Sequence, residues 1–256
     1  GSRMSSGLVV LQMALSLLLL ISSELFLRSL QGAIEIDPGC DAPASLVMAS
    51  LDPGLQGYDD PRARECYDRI VEEINGLPEV TAAALTNSVP LGLGSSDRSV
   101  DIPGYEFTEG ELRSLHYAYV GEGYFETVGI ELLEGRPLTK ADDANAPPVI
   151  VVNKRFADRF WLNQSALGKI VQTAGADREV VGVVETGKYG SLGEDPLEFM
   201  YMSHSERFVT DMTLIARTPT DPQAALRQIR SIIAAADPAL PLYDVRTMED
   251  HMGFVL

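Results

Sequence analysis

Three histidines (His116, His204 and His251), two cysteines (Cys40 and Cys66) and two carboxylate pairs (Glu72-Glu73 and Asp142-Asp143) are the first places to look for chemistry. Zinc needs His, Cys or carboxylate ligands at short spacing; the histidines are scattered and neither cysteine has a CxxC partner, so no metal site is expected. The chain has no G-x-S-x-G, and Ser203-His204-Ser205-Glu206 reads as a polar loop between strands. Glu72-Glu73 falls on the solvent face of a helix and Asp142-Asp143 follows Thr139 in a turn, so neither reads as an acid/base dyad. Gly187, Gly190 and Gly193 (GKYGSLG) bring a lysine but match neither the P-loop nor G-x-G-x-x-G, and read as a turn. For an enzyme there remains an unrecognised site among Glu185, Lys188 and His204. No catalytic residue and no cofactor is expected.

The elements that would hold such residues hang from one stretch. Leu8 to Leu27 (LVVLQMALSLLLLISSELFL) is a run of about 20 mostly apolar residues, the length of a helix that spans a bilayer. Leu8, Leu11, Leu15, Leu18, Leu19, Leu25 and Leu27 would be the anchor, with Glu24 near its end in reach of Arg28 at i+4. A cleaved signal peptide would show a small-residue cleavage pattern after a shorter core, and none follows here. A helix packed on one globular core would keep a polar face, which Leu8 to Ile21 lacks. The expected membrane helix covers residues 7–31. Residues 1–6 read as lead-in with an expression remnant, and the end at Phe254-Val255-Leu256 reads as the edge of a piece of a longer protein.

Beyond the anchor, Leu46-Val47-Met48-Ala49 predicts a strand, Asp60-Pro61 a capped helix start, and Ala63, Tyr67, Ile70, Val71, Ile74 and Leu77 one helix face over 61–75. Val80 to Leu85 predicts the next strand, completing a βαβ unit. Asn87 to Asp97 reads as loop and Ser99 to Ile102 as a short strand. Met212 to Ala216, a helix opened by Asp221-Pro222 and stopped by Asp237-Pro238, and Pro241 to Val245 repeat the βαβ pattern. Thr247 with Asp250 three residues on predicts a cap on a last helix. Two such units predict a split ferredoxin-like arrangement of four strands backed by two helices. The piece between them is mostly β, with strands at His116 to Val120, Pro148 to Val152, Lys169 to Gln172, Glu179 to Val184 and Phe199 to Met202, and one helix from Asn153 to Trp161. The fold class is therefore α+β with a β-rich insertion. With Ser45 to Leu51 leaving the membrane and the 61–75 helix returning, Cys66 falls about 13 Å of helix rise short of Cys40, so a disulfide is not expected.

The 256 residues carry a formal net charge of −17. That balance argues against nucleic acid and against anionic lipid headgroups, both of which call for Lys/Arg patches. Membrane lipid is a partner through the apolar run alone.

With enzyme signatures absent, the tightest signal is spread over several motifs in one order. Val120 to Asp143 (VGEGYFETVGIELLEGRPLTKADD) holds a Gly-Tyr-Phe turn, Gly-Ile, Leu-Leu-x-Gly-Arg and Thr-x-x-Asp. Val149 to Trp161, Leu167-Gly168-Lys169, Glu179 to Val184, Leu77 to Pro90 and Leu240 to Met248 continue it. Leu27 to Leu30 and Asp37-Pro38-Gly39 stand at the join of anchor and domain. Together these resemble the MacB-like periplasmic core domain of FtsX-like ABC permeases, especially the acidobacterial-type duplicated orphan permeases. Glu24 and Glu79 depart from that pattern, where glycine is usual, and Cys40 stands in place of an aromatic.

The resemblance implies a type VII, mechanotransmitting permease in the bacterial inner membrane, with its soluble domain in the periplasm. Its fold would be a porter-like subdomain (residues 32–110 and 207–256) around an inserted Sabre-like subdomain (residues 111–206). It also implies a separate ATP-binding subunit or domain, further transmembrane helices of the same permease, a homodimer and a periplasmic partner. The cargo would be an efflux substrate, an envelope component or a lipoprotein. Arg28, Ser29 and Leu30 would form the joint coupling helix to domain. A membrane-anchored ligand-binding or sensor domain is the rival reading.

Overall fold

The computed structural model describes residues 12–26, 43–92, 96–191, 193–207 and 209–252. It divides into two units, Gly1–Asp37 and Pro38–Leu256. In the first, residues 12–26 form helix α1, and all of them are exposed, Leu15 at 53% and Leu18, Leu19 and Leu25 at 63%. The described part is about 22 Å long at 1.5 Å per residue, short of a hydrocarbon layer. Among the described residues no helix is long and apolar enough to cross a membrane. Leu8, Leu11, Leu27, Arg28, Ser29, Leu30 and Cys40 lie outside the described residues.

In the second unit the strands are β1 (Leu46–Leu51), β2 (Ala82–Thr86), β3 (Ser96–Ser99), β4 (Ser114–Val120), β5 (Leu132–Gly135), β6 (Val149–Asn153), β7 (Ile170–Thr173), β8 (Ala176–Val184), β9 (Phe199–Ser203), β10 (Met212–Arg217) and β11 (Leu242–Thr247). The helices are α2 (Asp60–Asn75), α3 (Tyr124–Val128), α4 (Lys154–Trp161), α5 (Pro222–Ala236) and α6 (Met248–Met252). Among the described residues the strands join one sheet in the order β11-β1-β10-β2-β4-β9-β6-β8-β5, with β3 on β4 and β7 on β8. β1 and β2 are parallel with β10 antiparallel between them, while β10 and β11 are parallel with β1 between them. The βαβ units β1-α2-β2 and β10-α5-β11 therefore interleave. The sheet continues past them through one register pair, Thr86↔Val120, between β2 and β4.

Side-chain alternation assigns the two faces of this sheet. Val47, Ala49 and Leu51 of β1 meet Tyr67, Ile70 and Ile74 of α2 and Ile229 and Ile233 of α5, forming one core. Leu46 and Met48, pointing the other way, join Tyr124, Phe125 and Val128 of α3 and Met248 of α6, and that core runs on to Val149, Val151 and Tyr201. Ile150 and Val152 face Phe156, Phe160 and Trp161 of α4 in a third. Every residue of β1 and β6 is consequently buried, as expected of strands covered on both sides.

Several local expectations shift. Asp59, not Asp60, caps α2, accepting from the Arg62 N–H at 3.1 Å and leaving Pro61 in the first turn. The strand expected at Ser99 to Ile102 is β3, three residues earlier and paired with β4; Asp101 makes only an isolated bridge to Gln172. The Gly-Tyr-Phe turn is helix α3, bracketed by Gly123 and Gly129 at φ 78° and 77°. Strand β5 was not anticipated, because Leu132–Gly135 is exposed throughout and shows no alternation. Gly135 has φ 75°, and a Cβ there would lie 2.1 Å from the Val181 carbonyl oxygen, so only glycine lets this chain pass so close to β8.

Candidate functional site

Where β2 diverges from β4, a cleft of about 700 Å³ opens between α2 and β2 on one side and the Gly121–Gly123 turn, α3 and Lys140 on the other. Ala83, Ala84 and Leu85 form its floor, all buried. Part of the backbone edge of this stretch is satisfied from nearby. The Asn75 side chain accepts from the Ala83 N–H at 2.8 Å and donates to the Ala83 carbonyl at 3.0 Å, replacing the strand that β4 does not supply. The Leu85 carbonyl accepts from the Gly121 N–H at 2.8 Å. Both backbone groups of Ala83 and the carbonyl of Leu85 are thereby paired on the side that faces the cleft.

The far wall is set by the Gly-Arg-x-Leu-Thr-x-x-Asp stretch. Arg136 donates to both oxygens of Asp142 at 2.8 Å, and the Thr139 N–H donates to Asp142 Oδ2 at 2.8 Å. The guanidinium foremost, with the Thr139 amide, holds the Asp142 carboxyl below the usual carboxylate range. This tight loop presents Lys140 to α2, where Nζ lies 3.0 Å from Asp68 Oδ1. Both side chains are more than half exposed, so the link contributes under about 1 kcal/mol and breaks readily.

The 203–206 turn closes one end. The His204 N–H donates to the Val120 carbonyl, Arg64 of α2 donates to the Ser205 carbonyl, and Glu206 is held by both terminal nitrogens of the buried Arg178. The His204 ring sits edge-on to Tyr67 with centroids 6.2 Å apart. Burial, helped by the Arg64 charge, pushes its pKa down to about 4, so the imidazole is neutral at pH 7.

The residues read as an unrecognised site engage separate partners. Lys188 donates to the Glu194 carbonyl at 2.5 Å, Glu185 accepts from the Thr186 N–H, and His204 lines the cleft. The glycine-rich GKYGSLG does form a cradle of N–H groups, but its anion is its own: Tyr189, Gly190 and Ser191 donate to the Glu194 carboxylate. Asp142 and Asp143 sit in the turn expected after Thr139, and Glu72 and Glu73 are exposed on α2. Among the described residues no group of three His, Cys, Asp or Glu side chains could hold a metal ion. Cys66 is buried, and burial raises its thiol pKa. The Asp68–Lys140 pair was not legible from sequence, since no periodicity links a helix to a loop 72 residues later.

The Gly-Tyr-Phe helix, the Gly135 passage and the Arg136–Asp142 loop are the motif residues of the resemblance, and each has a structural task. The family described as the MacB-like periplasmic core domain matches residues 8–232. The chain belongs to that family. A relative named macrolide export ATP-binding/permease protein MacB, from Aggregatibacter actinomycetemcomitans, is 27% identical over 149 residues, covering 58% of this chain and 22% of the relative. A protein of the same name from Hahella chejuensis is 26% identical over 115 residues, 43% of this chain and 18% of that one. The chain thus spans about a fifth of the length of these curated relatives. The crystal structure of the periplasmic region of MacB from Actinobacillus actinomycetemcomitans superposes with a TM-score of 0.55 at 16% identity, over 88% of this chain and 97% of that one, a likeness of fold.

Proposed function

We propose that this chain is the periplasmic core, with the first transmembrane helix, of an ABC transporter permease in a bacterial inner membrane, and that it transmits motion rather than making or breaking bonds. One observation carries the reading: a single family match from residue 8 to residue 232 takes in both the apolar run and the mixed sheet up to β10. The ATP-binding relatives supply the energy source by analogy, as a separate subunit or domain, with further helices completing the permease. A homodimer, a periplasmic partner, and an efflux substrate or lipoprotein as cargo belong to the same proposal. So does the division into porter-like (32–110, 207–256) and Sabre-like (111–206) parts.

A helix satisfies its own backbone hydrogen bonds and resists bending, so a helix covalently continuous with a packed domain carries displacement across a bilayer. Arg28, Ser29 and Leu30 are the proposed joint. Replacing Arg28-Ser29 with Gly-Gly in the intact permease is expected to leave ATPase activity and abolish transport, checked by measuring both in reconstituted vesicles. Unchanged transport would remove the coupling role.

The anchored sensor is the second reading, and the cleft beside Asp68 is the observation in its favour. Further membrane spans encoded after Leu256 would decide for the permease.

A further inference from the structure

We propose that His251 is an acid-released clamp that docks helix α6 on the Pro90–Leu91 turn, holding it there while the imidazole is neutral and letting it go when the ring takes a proton. The ring is buried, and its Nε2–H donates to the Leu91 carbonyl at 3.1 Å. A carbonyl can only accept, so the neutral ring carries its proton on Nε2 and leaves Nδ1 bare. Nδ1 is itself buried and has no hydrogen-bond partner among the described residues. Leu91 is fully buried in a left-handed conformation, φ 56°, in a turn closed by the Gly92 N–H donating to the Val89 carbonyl at 3.0 Å, so the acceptor is held in place.

Protonation fills Nδ1 and so sets a charged donor in the interior facing no acceptor. Few groups nearby could offset that charge. β11 brings Arg246 and Asp244, an ion pair 2.7 Å apart, while the 43–45 turn, β1 and the Pro90–Leu91 turn bring no ionisable side chain among the described residues. Glu249 and Asp250 belong to α6 itself, and Asp250 is engaged with Thr247 Oγ1. Burial foremost, then the Arg246 charge, outweigh the Leu91 and Pro90 carbonyls and Asp244, and hold the ring below its usual pKa. The undocked ring therefore binds the proton more readily than the docked one, and docking weakens as pH falls below about 6.5. α6 has five residues, too few to persist as a helix on its own, and besides His251 it packs through the buried Met248 and the partly buried Met252. The inference concerns α6 alone and does not need the transport reading.

The test is amide hydrogen exchange of the 256-residue chain in nonionic detergent, read by mass spectrometry at about pH 7.5 and about pH 5 and corrected for the intrinsic pH dependence of exchange. Exchange in residues 248–252 is expected to rise on the order of tenfold at the lower pH, under a ceiling of about thirtyfold for a ring that titrates near 6.5 once undocked, while α2 and α5 keep their protection. His251→Gln, whose amide can still donate to the Leu91 carbonyl but takes no proton, is expected to remove the rise. The ring's own titration, followed by NMR in the parent chain, is expected to have its midpoint below about 6.5. Unchanged exchange at 248–252, an equal rise in α2 and α5, the same rise in His251→Gln, or a ring midpoint at or above about 6.5 would overturn the proposal. Transport is not part of this readout, so failure here leaves the coupling reading as it stands.

Discussion

Asn153 shows how one polar side chain fixes a junction. It is fully buried between β6 and α4, and its amide oxygen accepts from the Phe156 and Phe199 N–H groups at 2.9 and 3.1 Å. Its amide nitrogen donates to Tyr189 Oη at 2.9 Å and the Leu197 carbonyl at 2.7 Å. Asn153→Ala removes a helix cap and leaves buried groups unpaired, so it is expected to cost about 3 kcal/mol, read by chemical denaturation. His204 makes a pH prediction. Its folded pKa is depressed to about 4 from 6.5, so the unfolded chain takes the proton first, and stability falls as pH drops from about 6.5 to 4. In His204→Gln that part of the acid slope, on the order of 3 kcal/mol, is expected to vanish from melts taken across this window. The buried His251 is depressed in the same direction and leaves a residual slope in the variant.

At the scale of elements, Gly135 is the sharpest test. Gly135→Ala combines a left-handed backbone with a methyl group driven into the Val181 carbonyl, and is expected to destabilise by at least about 2 kcal/mol, measured by thermal melting of the purified chain. The elements that read clearly from the sequence are those with a periodic buried face. The apolar spacing of α2 named residues that do face the sheet, and Thr247 with Asp250 form the expected cap, Thr247 Oγ1 accepting from the Asp250 N–H at 3.0 Å and donating to Asp250 Oδ2 at 2.8 Å. β3 and β5 were missed or misplaced because Ser96–Ser99 and Leu132–Gly135 lie at the sheet's margins, largely exposed, where neither face imposes a pattern. Helix α3 hid in a motif read as a turn, since five residues cannot show helical periodicity and its two flanking glycines suggest a bend. The cleft was invisible for another reason. Its walls are assembled from five stretches of chain, and among the described residues the one ion pair across it joins positions 68 and 140.

For the whole molecule, the interleaved βαβ units and the β-rich middle are tied into one sheet, and the core around Leu46, Met48, Tyr124 and Tyr201 crosses between them. Close-packed interiors transmit displacement rather than absorb it. The coupling account therefore turns on the stiffness of the chain where it joins the helix, not on particular side chains there. Transport per ATP hydrolysed, measured in vesicles containing the intact permease, tests that claim most directly when Arg28-Ser29 is replaced by Gly-Gly and, separately, by helix-forming Ala-Ala. The account predicts that Gly-Gly uncouples the two activities while Ala-Ala keeps them near the parent ratio. Equal ratios in the two variants would contradict it.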